Sequence, residues 1–282
     1  MIVACSTAAF RTGLDEALAE VARLGFSHVD LIAIEGWDHV NLERLSTHYD
    51  LESGRVKSLL EKHGLTPFAV NFGVDTTSPA ADARANGSRE ATVEAMCRLM
   101  SELGVGVGAF YPGYHDDSQS WCPPREDVED NALHAYRQML AIARGYGLTI
   151  GPEPHCWSVF ETPQQVRRLF AALPEISVVY DASHFLLQGL DLAETEFVLT
   201  GSHHIHLRGA AKGLVQTAFD RSPMDLEWLF KTMAKIGYRG GISIEYLPDF
   251  PGDVGQEIAA LRDTLELLAT EWRPSPSSRA GG

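Results

Sequence analysis

The chain is 282 residues long, 45% hydrophobic and 22% charged, with a formal net charge of −15 at pH 7. That length suits one large α/β barrel or two ordinary domains, and the apolar share suffices for a buried core. So acidic a balance excludes the broad basic face that nucleic-acid phosphates require, and the expected partner is a small molecule.

Met-Ile-Val-Ala-Cys-Ser opens the chain with neither the basic nor the long apolar segment of a secretory signal. No apolar run approaches the roughly 18 residues of a membrane-spanning helix, so no membrane partner is expected. Ile2 to Ala4 reads as a first strand. After it, Cys5-Ser-Thr-Ala-Ala-Phe lacks the glycine-rich phosphate fingerprint of an open, doubly wound sheet. Leu14, Leu18, Val21 and Leu24 fall on one helical stripe, and Val93, Met96, Leu99, Met100 and Leu103 on another. Leu24-Gly25 leads into a β-like run, and the phrase recurs at His63-Gly64, Leu103-Gly104, Tyr146-Gly147 and Ile236-Gly237. Each glycine suits the left-handed residue that ends a helix. The first four are 39, 40 and 43 residues apart, one β/α unit each. Strands are predicted to start near Ile2, His28, Pro67, Gly106, Leu148, Ser177, His204 and Gly241. Eight strands alternating with helices predict a single (β/α)8 barrel, the catalytic domain, over residues 1–272. Residues 273–282 are predicted to be a disordered tail. Cys5, Cys97, Cys122 and Cys156 lack CxxC spacing and read as reduced thiols in a cytoplasmic protein.

In such a barrel, functional side chains gather at the C-terminal strand ends. Glu35, Trp37 and His39 follow the second strand, Asn71 and Phe72 the third, and Tyr111 and Tyr114 the fourth. Aromatic faces beside polar groups suit a sugar-like ring, and Glu35, Trp37 and Tyr111 are candidate substrate contacts. His115 begins a polar loop that runs to Pro124. The fifth to eighth strands end in Glu153, Asp181, His206 and Glu245. Three carboxylates and an imidazole make a hard, oxygen-rich set suited to Mn²⁺, Mg²⁺ or Co²⁺. His155 shares the phase of Glu153 if the strand continues through Pro154. His184, three residues after Asp181, lies just beyond the strand. On the seventh strand His204, His206 and Arg208 share the interior face, while Ile205 and Leu207 face the helices. His184, His204 and Arg208 are further candidate substrate contacts, and His203 reads as a surface residue.

These pieces resemble the xylose-isomerase-like barrel superfamily, in its group of sugar phosphate isomerases and epimerases. The resemblance rests on Glu153, on Asp181-x-x-His184, on His204-x-His206-Leu-Arg208 and on Ile244-Glu245, and it spans residues 1–272. It implies one divalent ion, Mn²⁺ foremost with Mg²⁺, Co²⁺ or Zn²⁺ as alternatives, held by Glu153, Asp181, His206 and Glu245. Relatives include ketose 3-epimerases, hydroxypyruvate isomerase, and inosose and dehydroshikimate dehydratases. The chain departs from them in places. Many relatives continue strand seven as His-Leu-Lys-Asp, whereas this chain has Arg208-Gly209. Ketose 3-epimerases carry a Glu six residues after the strand-five ligand, where Val159 stands here. The multi-metal set and basic face of the DNA-repair branch, endonuclease IV, are not evident.

The expected activity is that of a divalent-metal-dependent isomerase or epimerase on a sugar-like or keto-polyol substrate. It would abstract a proton next to a carbonyl and pass through a metal-stabilised enediolate. Glu153 and Glu245 serve as base and acid if they face each other across the substrate; otherwise His155 is the base. Loss of a β-substituent from the same intermediate would make the enzyme a lyase. A non-catalytic sugar-binding or partner subunit is the alternative of another class, and homo- and hetero-oligomers are both open.

Overall fold

Strands in the computed structural model begin within two residues of the eight predicted positions. They are β1 (Val3–Ser6), β2 (His28–Ala33), β3 (Thr66–Phe72), β4 (Val107–Phe110), β5 (Thr149–Pro152), β6 (Val178–Asp181), β7 (Ser202–Leu207) and β8 (Ile242–Ile244). The structure describes residues 1–37, 39–114 and 126–271, so the loop predicted over His115–Pro124 and the tail over 273–282 lie outside it. Every ladder is parallel, in the order β5-β4-β3-β2-β1-β8-β7-β6. Because β1 pairs with β8, the sheet curls into a ring whose joint lies between β5 and β6.

Helices surround the ring as the stripes predict. They are α1 (Leu14–Arg23), α2 (Leu42–Thr47), α3 (Tyr49–His63), α4 (Ala83–Leu103), α5 (Glu126–Gly145), α6 (Pro163–Ala172), α7 (Ala182–Gln188), α8 (Glu196–Thr200), α9 (Leu226–Ile236) and α10 (Val254–Glu271). Leu14, Leu18 and Val21 of α1 are buried, as are Val93, Met96, Leu99 and Met100 of α4. Each such side chain contributes about 1.5–3 kcal/mol by leaving water. The five repeat glycines have φ between 65° and 84°, the left-handed turn that stops each helix before its strand. Among the described residues no helix is long and apolar enough to cross a membrane.

Two register shifts fill the barrel's lower end. Between β2 and β3 the pairing passes from Val29–Pro67 to Asp30–Ala69, skipping Phe68. Between β6 and β7 it passes from Val178–Ser202 to Val179–His204, skipping His203. A bulged residue leaves the in–out alternation of its strand. Phe68 therefore meets the His204 ring at 5.5 Å between centroids. His203, read from the sequence as a surface residue, is half-buried instead. Its ring nitrogens lie 3.0 Å from the Gly108 carbonyl and 3.0 Å from Ser177 Oγ. At the joint, β5 passes close to the residue preceding β6: a Cβ at Gly151 would stand 1.8 Å from the Ser177 carbonyl oxygen. Only glycine fits that approach.

Candidate metal centre and active site

Each strand end delivers its side chain with one part already engaged. Glu153 follows β5, and its N–H extends the ladder to the Phe110 carbonyl at 3.1 Å. Pro152 ends the strand, so His155 comes from the following turn rather than from a strand continued through Pro154. Asp181 closes β6 and caps α7, its Oδ1 accepting from the Ser183 N–H at 2.8 Å. That leaves Oδ2 for the interior. Glu245 follows β8; its Oε1 accepts from Ser6 Oγ at 3.2 Å and Asn71 Nδ2 at 3.4 Å, freeing Oε2.

His206 stands at the centre. Its Nδ1 lies 2.9 Å from Glu245 Oε2 and 3.3 Å from Glu153 Oε2. Its Nε2 lies 3.1 Å from Asp30 Oδ2, so a carboxylate on β2 orients the ring and aims Nδ1 at the glutamates. A carboxylate behind a ligating imidazole is a recurrent support in metal sites. Across Glu153, His184 Nε2 lies 3.4 Å from Glu153 Oε1 and 3.5 Å from Asp181 Oδ2. Two ligand-spaced groups thus overlap: Glu153, His206 and Glu245, and Glu153, Asp181 and His184. Arg208 reaches between them, with Nη1 3.0 Å from Asp181 Oδ2 and 3.8 Å from Glu245 Oε2.

The charges respond to this crowding. Burial alone would raise the Asp30 carboxyl, but hydrogen bonds from His204 and His206 hold it well below the usual range. Burial also opposes ionisation of Glu153, yet His206 and His184 bring its carboxyl far down. His206 is pushed the other way: despite burial, Glu245 and Glu153 raise it well above an ordinary imidazole. His184 is buried too, and Cys156 and Asp181 lift it to about 10. Burial raises the Cys156 thiol, but His184 and His155 outweigh that and lower it to about 6.

A divalent ion fits this donor set. Glu153 Oε1, Asp181 Oδ2 and His206 Nδ1 are buried, and among the described residues no hydrogen bond is directed at them. Charged neighbours stand at ion-pair distance, and buried carboxylates without directed partners are costly. Glu153, Asp181, His206 and Glu245 are the residues that would hold the ion, with His184 beside them.

Glu153 and Glu245 of this set border a cavity of about 620 Å³. Of the residues expected to meet substrate, Glu35, Trp37, Tyr111 and Arg208 line it, as do His155 and Asn71. Trp37 is anchored by its Nε1–H to the Ala8 carbonyl at 2.9 Å. Tyr111 packs against Tyr114 and, in a T-shaped pair, against His155. His184 and His204 do not border the cavity. His204 lies one layer lower, with Nε2 3.2 Å from Asp30 Oδ2 and 3.0 Å from Ser243 Oγ. His39 is buried, and its Nε2 lies 2.9 Å from the Thr12 carbonyl oxygen. The wall also contains Asp75, Thr76 and Thr77, which nothing in the sequence marked out. Asp30 and Cys156 were equally unmarked. Asp30 lies in an ordinary β-run, and the only local signal was a lone acid among apolar residues.

His155 borders the cavity with a defined tautomer. Its Nδ1 lies 2.6 Å from the Cys156 carbonyl oxygen. A carbonyl only accepts, so in the neutral ring Nδ1 carries the hydrogen and Nε2 the lone pair.

A family model described as a xylose isomerase-like TIM barrel matches residues 18–269. No curated protein shows significant sequence similarity to the chain. Among solved structures, L-ribulose 3-epimerase is similar with a TM-score of 0.71 at 15% identity, covering 100% of both chains. A probable 3-DHS dehydratase involved in petrobactin synthesis, from Bacillus anthracis, gives 0.68 at 12% identity, covering 94% of this chain and 99% of that one. A family 2 AP endonuclease from Brucella melitensis gives 0.66 at 17%, covering 93% and 98%. At these identities the likeness is one of fold.

Proposed function

The chain belongs to the xylose isomerase-like TIM barrel family, and from that premise we propose that it is a divalent-metal-dependent isomerase or epimerase of a sugar-like or keto-polyol substrate. One observation carries this reading: two overlapping groups of buried carboxylates and imidazoles meet a sugar-sized cavity through Glu153 and Glu245, which line it. Glu153, Asp181, His206 and Glu245 hold the ion, with Mn²⁺ the preferred occupant and Mg²⁺, Co²⁺ or Zn²⁺ the alternatives. When bound, such an ion supplies Lewis-acid polarisation of a carbonyl and its neighbouring hydroxyl.

The chain's own residues do the rest. Trp37 and Tyr111 offer faces to a ring, and Glu35, Asp75 and Thr77 offer acceptors and a donor to its hydroxyls. Glu153 and Glu245 both approach the same nitrogen of His206. That arrangement supports them as holders of the ion, and the place of His155 on the cavity wall, with Nδ1 on the Cys156 carbonyl, supports its Nε2 as the group that takes the proton beside the carbonyl. A single base also favours a second reading. Epimerisation returns the proton to the opposite face, whereas isomerisation and β-elimination need no opposed partner. The lyase therefore remains the companion to the isomerase.

Solvent deuterium exchange tests the proposal. The Mn²⁺-loaded protein is incubated in D₂O with a panel of ketoses and keto-polyols. We expect deuterium at the carbon beside the carbonyl of at least one, lost on chelation and on Glu245→Gln. His155→Ala is expected to retain the ion and to slow exchange by about 10²–10⁴-fold. A metal-loaded protein that exchanges no member of the panel would overturn the reading.

A further inference from the structure

We propose that His155, Cys156 and His184 form a second metal site, selective for a thiophilic divalent ion such as Zn²⁺. Cys156 is fully buried, and its sulfur lies 3.2 Å from His184 Nδ1 and 3.6 Å from His155 Nδ1. The potential ligand atoms of the three residues all lie within 4.8 Å of one another. Zinc bonds of about 2.3 Å to sulfur and about 2.0–2.1 Å to nitrogen, at tetrahedral angles, put sulfur and nitrogen roughly 3.5 Å apart. The two observed separations bracket that value, and His155 Nδ1 would exchange its contact with the Cys156 carbonyl for the ion.

Neighbours in sequence rarely aim two side chains at one point. Here a turn does it: Ser158 Oγ and N–H both bond the His155 carbonyl, at 2.6 and 3.2 Å. The His155 ring is thereby laid against His184, with centroids 3.9 Å apart. His184 then serves two neighbourhoods through opposite nitrogens. Nε2 faces the carboxylates of Glu153 and Asp181, and Nδ1 faces the sulfur. The two sites differ in softness, oxygen-rich on one side and sulfur with nitrogen on the other, so ions sort between them. Three protein ligands leave a coordination position open, and half-buried His155 gives access from the cavity.

Filling this site has a proton balance. The one proton shared between Cys156 Sγ and His184 Nδ1 is released to solvent. His155 moves its hydrogen from Nδ1 to Nε2 as Nδ1 takes the ion. The lone pair on Nε2 disappears, and a thiophilic ion therefore inhibits proton transfer. This last consequence rests on His155 being the proton acceptor; the site itself does not.

The test uses Co²⁺, whose thiolate complexes absorb in the near ultraviolet. Co²⁺ is titrated into the full chain with its carboxylate site saturated with Mg²⁺. A sulfur-to-cobalt band saturating at one ion per chain is expected, absent in Cys156→Ser and weakened at least tenfold in affinity in His155→Asn. Circular dichroism verifies folding, and Cys156→Ala replaces the serine variant should that one fail to fold. No band in the wild type, or an equal band in the folded Cys156 variant, would overturn the proposal. Zn²⁺ is expected to suppress deuterium exchange in the wild type but not in Cys156→Ser. A cobalt band with exchange untouched by Zn²⁺ would keep the site and discard His155 as the base.

Discussion

A charged group at the centre of a barrel must be answered by hydrogen bonds, and Asp30 meets both His204 and His206 through the single oxygen Oδ2. Asp30→Asn keeps the shape but replaces a charged acceptor with an amide. Metal affinity is expected to fall about 10–100-fold, read by competition with a chromophoric chelator. Unchanged affinity would remove Asp30 from the site. Arg208 makes the complementary case: it is 2% exposed and is the cation set between Asp181 and Glu245. In Arg208→Met, the metal-free protein keeps its buried carboxylates and loses that counter-charge. Breaking such a buried pair costs about 3–5 kcal/mol, to be measured by urea unfolding in chelator. The deficit should shrink once a divalent ion is added; a loss equal in both conditions would show that Arg208 only packs. The strand-end candidates Glu153, Asp181, His206 and Glu245 could be picked out in the sequence because an acid or imidazole closing a β-run stands out by phase. Asp30 could not, because its partners lie 174 and 176 residues away and no local pattern encodes them.

At the scale of elements, the repeating glycine phrase marked helix ends and strand starts because both follow from local backbone preference. The bulges escaped. Register depends on what the neighbouring strand presents, so neither the place of Phe68 nor that of His203 follows from period two. The same limit applies to Gly151, whose role is fixed by the Ser177 carbonyl across the joint. Gly151→Ala would press a methyl into backbone that cannot move aside as a side chain would. A loss of at least about 1–3 kcal/mol is expected in urea unfolding, with strand β5 displaced from β6. The neighbouring position Ile150 is buried on the helix-facing side, and Ile150→Val there should cost only about 0.5–1.5 kcal/mol. Equal effects at the two positions would deny the joint any special tightness.

Over the whole molecule, the acidic surplus and the buried carboxylates both favour binding a cation. An ion that binds only the folded form adds about 2.7 kcal/mol when present at 100 times its dissociation constant. For a chain of this size that is a rise in Tm of roughly 5 °C, to be checked by calorimetry with and without chelator. No rise with Mn²⁺, Mg²⁺, Co²⁺ or Zn²⁺ would contradict a structural stake in the metal. The location of the donors gives this effect a direction. Among the described residues, β5 and β6 are the neighbours with no paired register, and Glu153 and Asp181 sit on either side of that gap. The ring is a hoop whose fastening is not backbone but a clasp of side chains. An ion held by both carboxylates would latch it, and withdrawing the ion would leave only His184 and Arg208 to answer the two carboxylates at the one place the ladder does not bridge. The hoop would then open there first, with amide hydrogens of β5 and β6 exchanging ahead of those of β1 and β2, so the ion's occupancy would govern how long the barrel stays shut.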